Sequence, residues 1–199
     1  RIEESENFTL NGLDRYRINN ELLHLEEAKF NDYFAKQRVK GIMPRGEFAE
    51  VCEQDIRADV LAFKEKIKDY SSPHSESVDF VVETAQGNIR LFGYMEPLFG
   101  DENQIIEWRF AKYKDRYRIR PWLYYLIQLA TKENALPPRI IAKDKDLTLK
   151  TIEKSTALEK LKMYVEAYLQ SQQQIQLIPT ENIAKFIEKD ESAVNFDNV

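Results

Sequence analysis

Val78-Asp79-Phe80-Val81-Val82-Glu83-Thr84-Ala85-Gln86-Gly87-Asn88-Ile89-Arg90-Leu91-Phe92-Gly93-Tyr94-Met95 is the stretch on which the fold turns. Val78, Phe80 and Val82 recur at every second position, and so do Ile89, Leu91, Gly93 and Met95. A period of two marks strands with one buried face. Gly87-Asn88 between the two runs is a hairpin-type turn pair, so the stretch reads as two antiparallel strands.

Downstream, Pro97 through Asn103, with Gly100-Asp101, reads as a second turn, and Ile105 through Phe110 as a third strand. Glu96 then ends the second strand. Pro121 suits the first turn of a helix whose apolar face is Trp122, Leu123, Leu126, Ile127 and Ala130. Pro137-Pro138 ends that helix, Arg139-Ile140-Ile141-Ala142 reads as a fourth strand, and Leu147-Thr148-Leu149 as a fifth. Thr156 with Glu159 fits a capping box for a last long helix, with a stripe of Leu158, Leu161, Val165 and Leu169. Gln172-Gln173-Gln174 reads as a loop. Ile175, Leu177 and Pro179 lead to a short helix capped by Thr180, and the tail after Asp190 is polar.

Upstream the period is near 3.6. A helix is expected from Asn11 to about Glu27, with Ile18, Leu22, Leu23 and Leu25 on its stripe. A short one carries Phe30, Tyr33 and Phe34. Gly41 and Pro44-Arg45-Gly46 break the chain. A long helix from Glu47 to about Asp69 buries Ile56, Val60, Phe63 and Ile67. Ser71 to Ser75 reads as a loop, and residues 1–10 as frayed.

The order over 47–142 is therefore helix, three strands, helix, strand. An antiparallel meander is followed by a right-handed helical crossover to a parallel strand. The class is α/β (mixed α+β), a mixed sheet flanked by helices on both faces. The expected organisation is one domain over 1–199. It comprises a helical segment 1–46, a core 47–145, and C-terminal helices and tail 146–199.

The 199 residues carry 29 basic and 34 acidic side chains, a net charge of −5, with 43 % hydrophobic residues. That composition excludes whole-chain disorder and collagen, and the acidic total argues against a general nucleic-acid coat. No apolar run reaches the roughly 18 residues of a membrane span. A single cysteine, Cys52, allows no internal disulfide, and two histidines exclude a zinc finger. The start at Arg1, without Met or a signal-type apolar stretch, reads as a piece excised from a longer chain.

Two constellations carry possible chemistry. Glu96, then Glu107 and Arg109 on one face of the third strand, form the first. Paired carboxylates can hold Mg²⁺ with open water positions, and a nearby cation can steady the attacking water. The element order also resembles the core of the restriction-endonuclease-like (PD-(D/E)XK) fold. There, Glu96 stands in place of Asp, and Arg109 in place of Lys, for which a guanidinium is a poor substitute. The other reading makes all three solvated strand-end charges.

The second constellation is Arg109-Phe110-Ala111-Lys112-Tyr113-Lys114-Asp115-Arg116-Tyr117-Arg118-Ile119-Arg120, with six bases against one acid. Lys112, Lys114, Arg116 and Arg118 could neutralise DNA phosphates, while Tyr113 and Tyr117 stack on exposed bases. The other reading is a solvated loop whose aromatics cover the next helix. His24 reads as structural. His74, near Ser72, Ser75 and Ser77, has no Gly-x-Ser-x-Gly beside it. Cys52, between acids, is not a convincing nucleophile. No Gly-rich phosphate loop is present, so no ATP site is expected.

A longer signature runs through the chain. It begins with Phe8-Thr9-Leu10-Asn11-Gly12-Leu13-Asp14-Arg15-Tyr16, then Asn19 and Leu22-Leu23. It continues in Lys40-Gly41-Ile42-Met43-Pro44-Arg45-Gly46-Glu47-Phe48-Ala49-Glu50. Arg90 to Met95, Ile106 to Arg109, and Pro121 to Ala130 follow in order. Together they resemble the C-terminal region of the exodeoxyribonuclease V gamma subunit family, RecC.

The resemblance implies a PD-(D/E)XK-like domain without a working active site, so Glu96, Glu107 and Arg109 would be vestigial and no metal would be held. It implies no cofactor in this domain, with Mg²⁺ and ATP used by other subunits of the complex. The expected partners are a RecB-type beta subunit, with a motor and the nuclease, and a RecD-type alpha subunit with a second motor. The family splits the duplex, channels the strands and recognises Chi, in the bacterial cytoplasm. Its C-terminal region helps to hold the alpha subunit. Glu96 and Glu107 depart from the family's pattern. An active Mg²⁺-dependent nuclease and a free-standing interaction domain stand as the alternatives.

Overall fold

The computed structural model describes residues 10–100, 102–132 and 134–173. The chain divides into two compact units, Arg1–Asp69 and Tyr70–Val199.

The first unit contains α1 (Gly12–Leu23), α2 (Phe30–Val39) and α3 (Glu47–Ile67). Asn11 caps α1 by accepting the Asp14 backbone N–H at 2.8 Å, an interaction that contributes about 1 kcal/mol. Ile18 and Leu22 of α1 are fully buried, as are Ile56 and Val60 of α3, so the helical stripes face inward as their spacing requires. Leu25 falls beyond the end of α1. Arg15 of α1 bonds Asp55 and Asp59 of α3, the latter at 3.2 Å. Arg57 of α3 lies over the rings of Phe30 and Phe34 of α2 at 5.4 and 5.7 Å. Gly46, at φ +61°, makes the turn into α3 that a side chain would strain.

The second unit holds β1 (His74–Thr84), β2 (Gly87–Phe99), β3 (Gln104–Arg109), α4 (Ile119–Thr131), β4 (Arg139–Ala142), β5 (Asp146–Thr148) and α5 (Lys154–Gln173). The sheet order is β1-β2-β3-β4-β5. The first two pairings and β4–β5 are antiparallel, and β3–β4 is parallel across the α4 crossover. The expected meander, crossover and mixed sheet are all present.

Several local expectations are corrected. The hairpin turns on Ala85-Gln86, because Thr84 pairs with Gly87 and Glu83 with Asn88 inside the ladder. Thr84 Oγ1 closes the turn, donating to the Gly87 carbonyl at 2.8 Å and accepting the Gln86 N–H at 3.2 Å. Nor does Glu96 end β2. Met95 pairs with Glu76 and Leu98 with His74, so three steps on β2 oppose two on β1. The extra residue is a bulge at Glu96-Pro97, where proline has no N–H to lose. Buried Leu98 and Phe99 then continue the strand and pair with Ile105 and Gln104. The second turn shortens to Gly100–Asn103, closed by the Asn103 N–H to the Gly100 carbonyl at 3.2 Å. His74, expected in a loop, is the first residue of β1.

The last helix starts at Lys154, so Thr156 lies inside it and cannot cap its start. Its buried stripe is Ala157, Leu161 and Val165, with Leu169 partly buried, while Leu158 is exposed. Gln172 and Gln173 belong to the helix rather than to a loop. The readings for residues 1–9 and 174–199 lie outside the described residues.

One core joins β1, β2, β3, α4 and α5, through Val78, Val82, Met95, Leu98, Ile105, Trp122, Tyr125, Leu126, Leu129, Ala157, Leu161 and Val165. Both helices thus lie on one face of the sheet. On the opposite face Phe99, Ile106 and Ile141 are buried as well. No described helix is long and apolar enough to cross a membrane.

Candidate functional site

β3 alternates Ile105, Glu107 and Arg109 toward the face that α4 crosses. Ile105 enters the core, and Glu107 is buried just beyond it, its side chain 6 % exposed. Arg109 Nε donates to Glu107 Oε1 at 3.0 Å. Arg120, in the first turn of α4, donates from Nη2 to Glu107 Oε2. The crossover makes this possible, because it brings the start of α4 back over the end of β3. Both carboxylate oxygens are therefore bonded to guanidinium groups. A buried charge needs such partners, since removal of one partner from a buried pair typically costs about 3–5 kcal/mol. A divalent cation approaching Glu107 would meet two positive charges at Coulombic range.

Of the three nuclease-type candidates, the structure brings Glu107 and Arg109 together. Glu96 is exposed on the bulge, outside the two-pair β2–β3 ladder. Among the described residues no three His, Cys, Asp or Glu side chains are grouped to hold a metal ion.

The basic segment follows β3. Lys112, Lys114 and Arg116 are exposed, whereas Tyr113, Tyr117 and Arg118 are half-buried. The two tyrosines meet edge to face, with centroids 6.5 Å apart. Their rings carry the chain's own cations. Arg118 and Lys145 lie over Tyr113 at 5.7 and 4.4 Å, and Arg109 and Arg116 over Tyr117 at 5.2 and 5.9 Å. Such contacts fix a guanidinium against an aromatic face. Asp115 accepts from the Tyr113 hydroxyl at 3.1 Å, and Arg118 Nε donates to the same hydroxyl. Burial pushes the Tyr113 phenol up, although Arg118 pulls it the other way.

Sequence reasoning missed Arg120 as a partner of Glu107. It also missed the β4–β5 turn, where Asp144 Oδ1 accepts the Tyr113 N–H at 2.7 Å and Lys143 N–H bonds the Ala111 carbonyl at 3.0 Å. The visible signal was Lys143-Asp144-Lys145 between two short strands. The remaining candidates are quieter. His24 is the C-cap residue of α1. Cys52 sits half-buried in α3, where burial raises its thiol away from the reactive thiolate form.

The family model of the RecC C-terminal domain matches residues 1–191. The chain belongs to the RecC C-terminal domain family. It is 54 % identical over 200 residues to the RecBCD enzyme subunit RecC of Haemophilus influenzae (strain ATCC 51907 / DSM 11121 / KW20 / Rd), a match covering 98 % of this chain and 18 % of that protein. The RecBCD enzyme subunit RecC of Escherichia coli (strain K12) is 23 % identical over 169 residues, or 84 % of this chain and 15 % of that protein. The chain thus spans less than a fifth of either relative. The resemblance carried by the ordered motifs from Phe8 to Ala130 is borne out at family level.

Proposed function

We propose that the chain is a non-catalytic, nuclease-like domain that helps to assemble a helicase–nuclease and to guide DNA within it. The observation that carries this reading is the Glu107 carboxylate, bonded by Arg109 on one oxygen and Arg120 on the other. At the position where a restriction-endonuclease-like site needs a metal ligand, this chain has a structural ion pair. The helix–meander–helix–strand order supports the same fold reading.

Membership in the family extends the reading to partners. The relatives are named as RecBCD enzyme subunits. The proposed partners are therefore a RecB-type beta subunit and a RecD-type alpha subunit, in a complex that splits and processes broken DNA for recombinational repair in the bacterial cytoplasm. ATP and Mg²⁺ would act on those other subunits. The basic segment at 109–120 would face DNA.

Gel filtration of the chain with a purified alpha subunit, at two salt concentrations, tests the assembly role. Co-elution is expected, weakening with salt to the extent that charge contributes. Separate elution at both concentrations would remove alpha-subunit docking from this domain.

A further inference from the structure

We infer that Glu107, Arg109 and Arg120, with Arg116 beside them on Tyr117, form a preorganised grip for the phosphodiester backbone of DNA, in which Glu107 acts as a positioning residue. The inference rests on the DNA-facing reading above and names the chemistry of that contact.

Three observations converge on it. First, the buried carboxylate fixes two guanidinium groups that stay half-exposed, with side-chain exposures of 51 % for Arg109 and 49 % for Arg120. A guanidinium has five N–H donors in a planar fork, and the contact with Glu107 takes one from each. The remaining forks suit the paired oxygens of a phosphate. Second, Tyr117 carries Arg109 and Arg116 together, which brings a third guanidinium to the same place. Third, the surroundings hold a strong local excess of positive charge in a chain whose net charge is −5. Lys112, Lys114, Arg118, Lys143 and Lys145 cluster around Tyr113 and the β4–β5 turn, against Asp115 and Asp144.

The tyrosines play a different part from the base stacking expected of the sequence. They meet edge to face and are covered by arginine and lysine. A ring covered by its own cations is a support for them rather than a platform for bases. The grip therefore reads phosphate and not base identity.

The test uses the full-length protein that contains this chain, assembled with its partner subunits, and fluorescently labelled forked DNA. Binding is measured by anisotropy over a salt series. The double variant Arg109→Gln/Arg120→Gln should bind at least tenfold more weakly. It should also lower the slope of log affinity against log salt by about 1.4–1.8, the value for two phosphate contacts at roughly 0.7–0.9 each. Glu107→Gln is the sharper probe, because it removes a negative charge. If Glu107 merely neutralised the patch, its loss would tighten binding. As a positioning residue its loss weakens binding, with the effect equal on DNAs of different sequence.

Tighter or unchanged binding by Glu107→Gln, with thermal melting showing a folded protein, overturns the inference. An unchanged slope in the arginine double variant overturns it independently. The triple variant Lys112→Gln/Lys114→Gln/Arg118→Gln, which leaves every arginine of the grip in place, separates the two failures. If it flattens the slope while the arginine pair does not, the segment faces DNA but the grip is elsewhere. If it too leaves the slope unchanged, the DNA-facing reading fails. Loss of subunit co-elution in the arginine double variant, with the DNA slope intact, would assign the site to an acidic protein surface instead.

Discussion

The side-chain amide of Gln128 donates from within α4 to the backbone carbonyl of Asn103 at 2.8 Å. Gln128 is only 1 % exposed, and Asn103 adopts φ +54° at the end of the β2–β3 turn. The Asn103 side chain is itself engaged, with its amide donating to Glu76 at 3.0 Å and its oxygen on His74 Nε2. Lys132, just past α4, donates to the same Glu76 at 2.6 Å. One turn is thereby tied to both β1 and the crossover helix. Gln128→Leu leaves a carbonyl without its partner, and it should destabilise the fold by about 1–3 kcal/mol in urea unfolding. A change within experimental error would show that the turn does not depend on α4.

The phase of α5 gives a second expectation. Leu161 is 1 % exposed and Leu158 is 44 % exposed. Leu161→Ala should cost about 2–5 kcal/mol, because it opens a cavity in the shared core. Leu158→Ala should stay within about 0.5 kcal/mol. Equal costs would mean that the helix presents a different face.

These positions also show where sequence reading reached its limit. The hairpin, the crossover and Arg139–Ala142 were legible because a period of two over Val78–Val82 and Ile89–Met95, and the Pro137-Pro138 break, are local signals. The phase of α5 was not. Ala157 is a weak apolar signal beside Leu158, and only packing against α4 and β1 decides between them. Pro97 looked like a strand breaker because the bulge that tolerates it depends on β1 pairing. At the candidate site, Glu107 with Arg109 was legible as a two-residue spacing on one strand. Arg120 as the second partner required the crossover geometry, and Lys145 over Tyr113 required the β4–β5 turn to come back to the segment.

Alkaline titration should expose the buried phenols. Burial raises Tyr113 and Tyr125 above the ordinary tyrosine value. For each, the folded state holds its proton more tightly than the unfolded state. Their contribution to stability is complete below about pH 10 and is lost as pH rises through the folded values. Of the ten tyrosines, a subset should therefore ionise late in the folded chain and join the rest near pH 10 in urea. Tyr125→Phe should remove part of the late phase. Titration of all the phenols together in the folded chain would contradict the burial assigned to them.

The most direct measurement is DNA cleavage by the chain itself. The purified chain and its Glu107→Ala variant are incubated with single-stranded DNA and Mg²⁺ or Mn²⁺, and the products are resolved on a denaturing gel. A carboxylate bonded to Arg109 and Arg120 leaves no metal ligand at the expected position, so neither protein should cut. Metal-dependent cleavage by the parent chain that disappears in Glu107→Ala would contradict the non-catalytic reading and make Glu107 a working ligand.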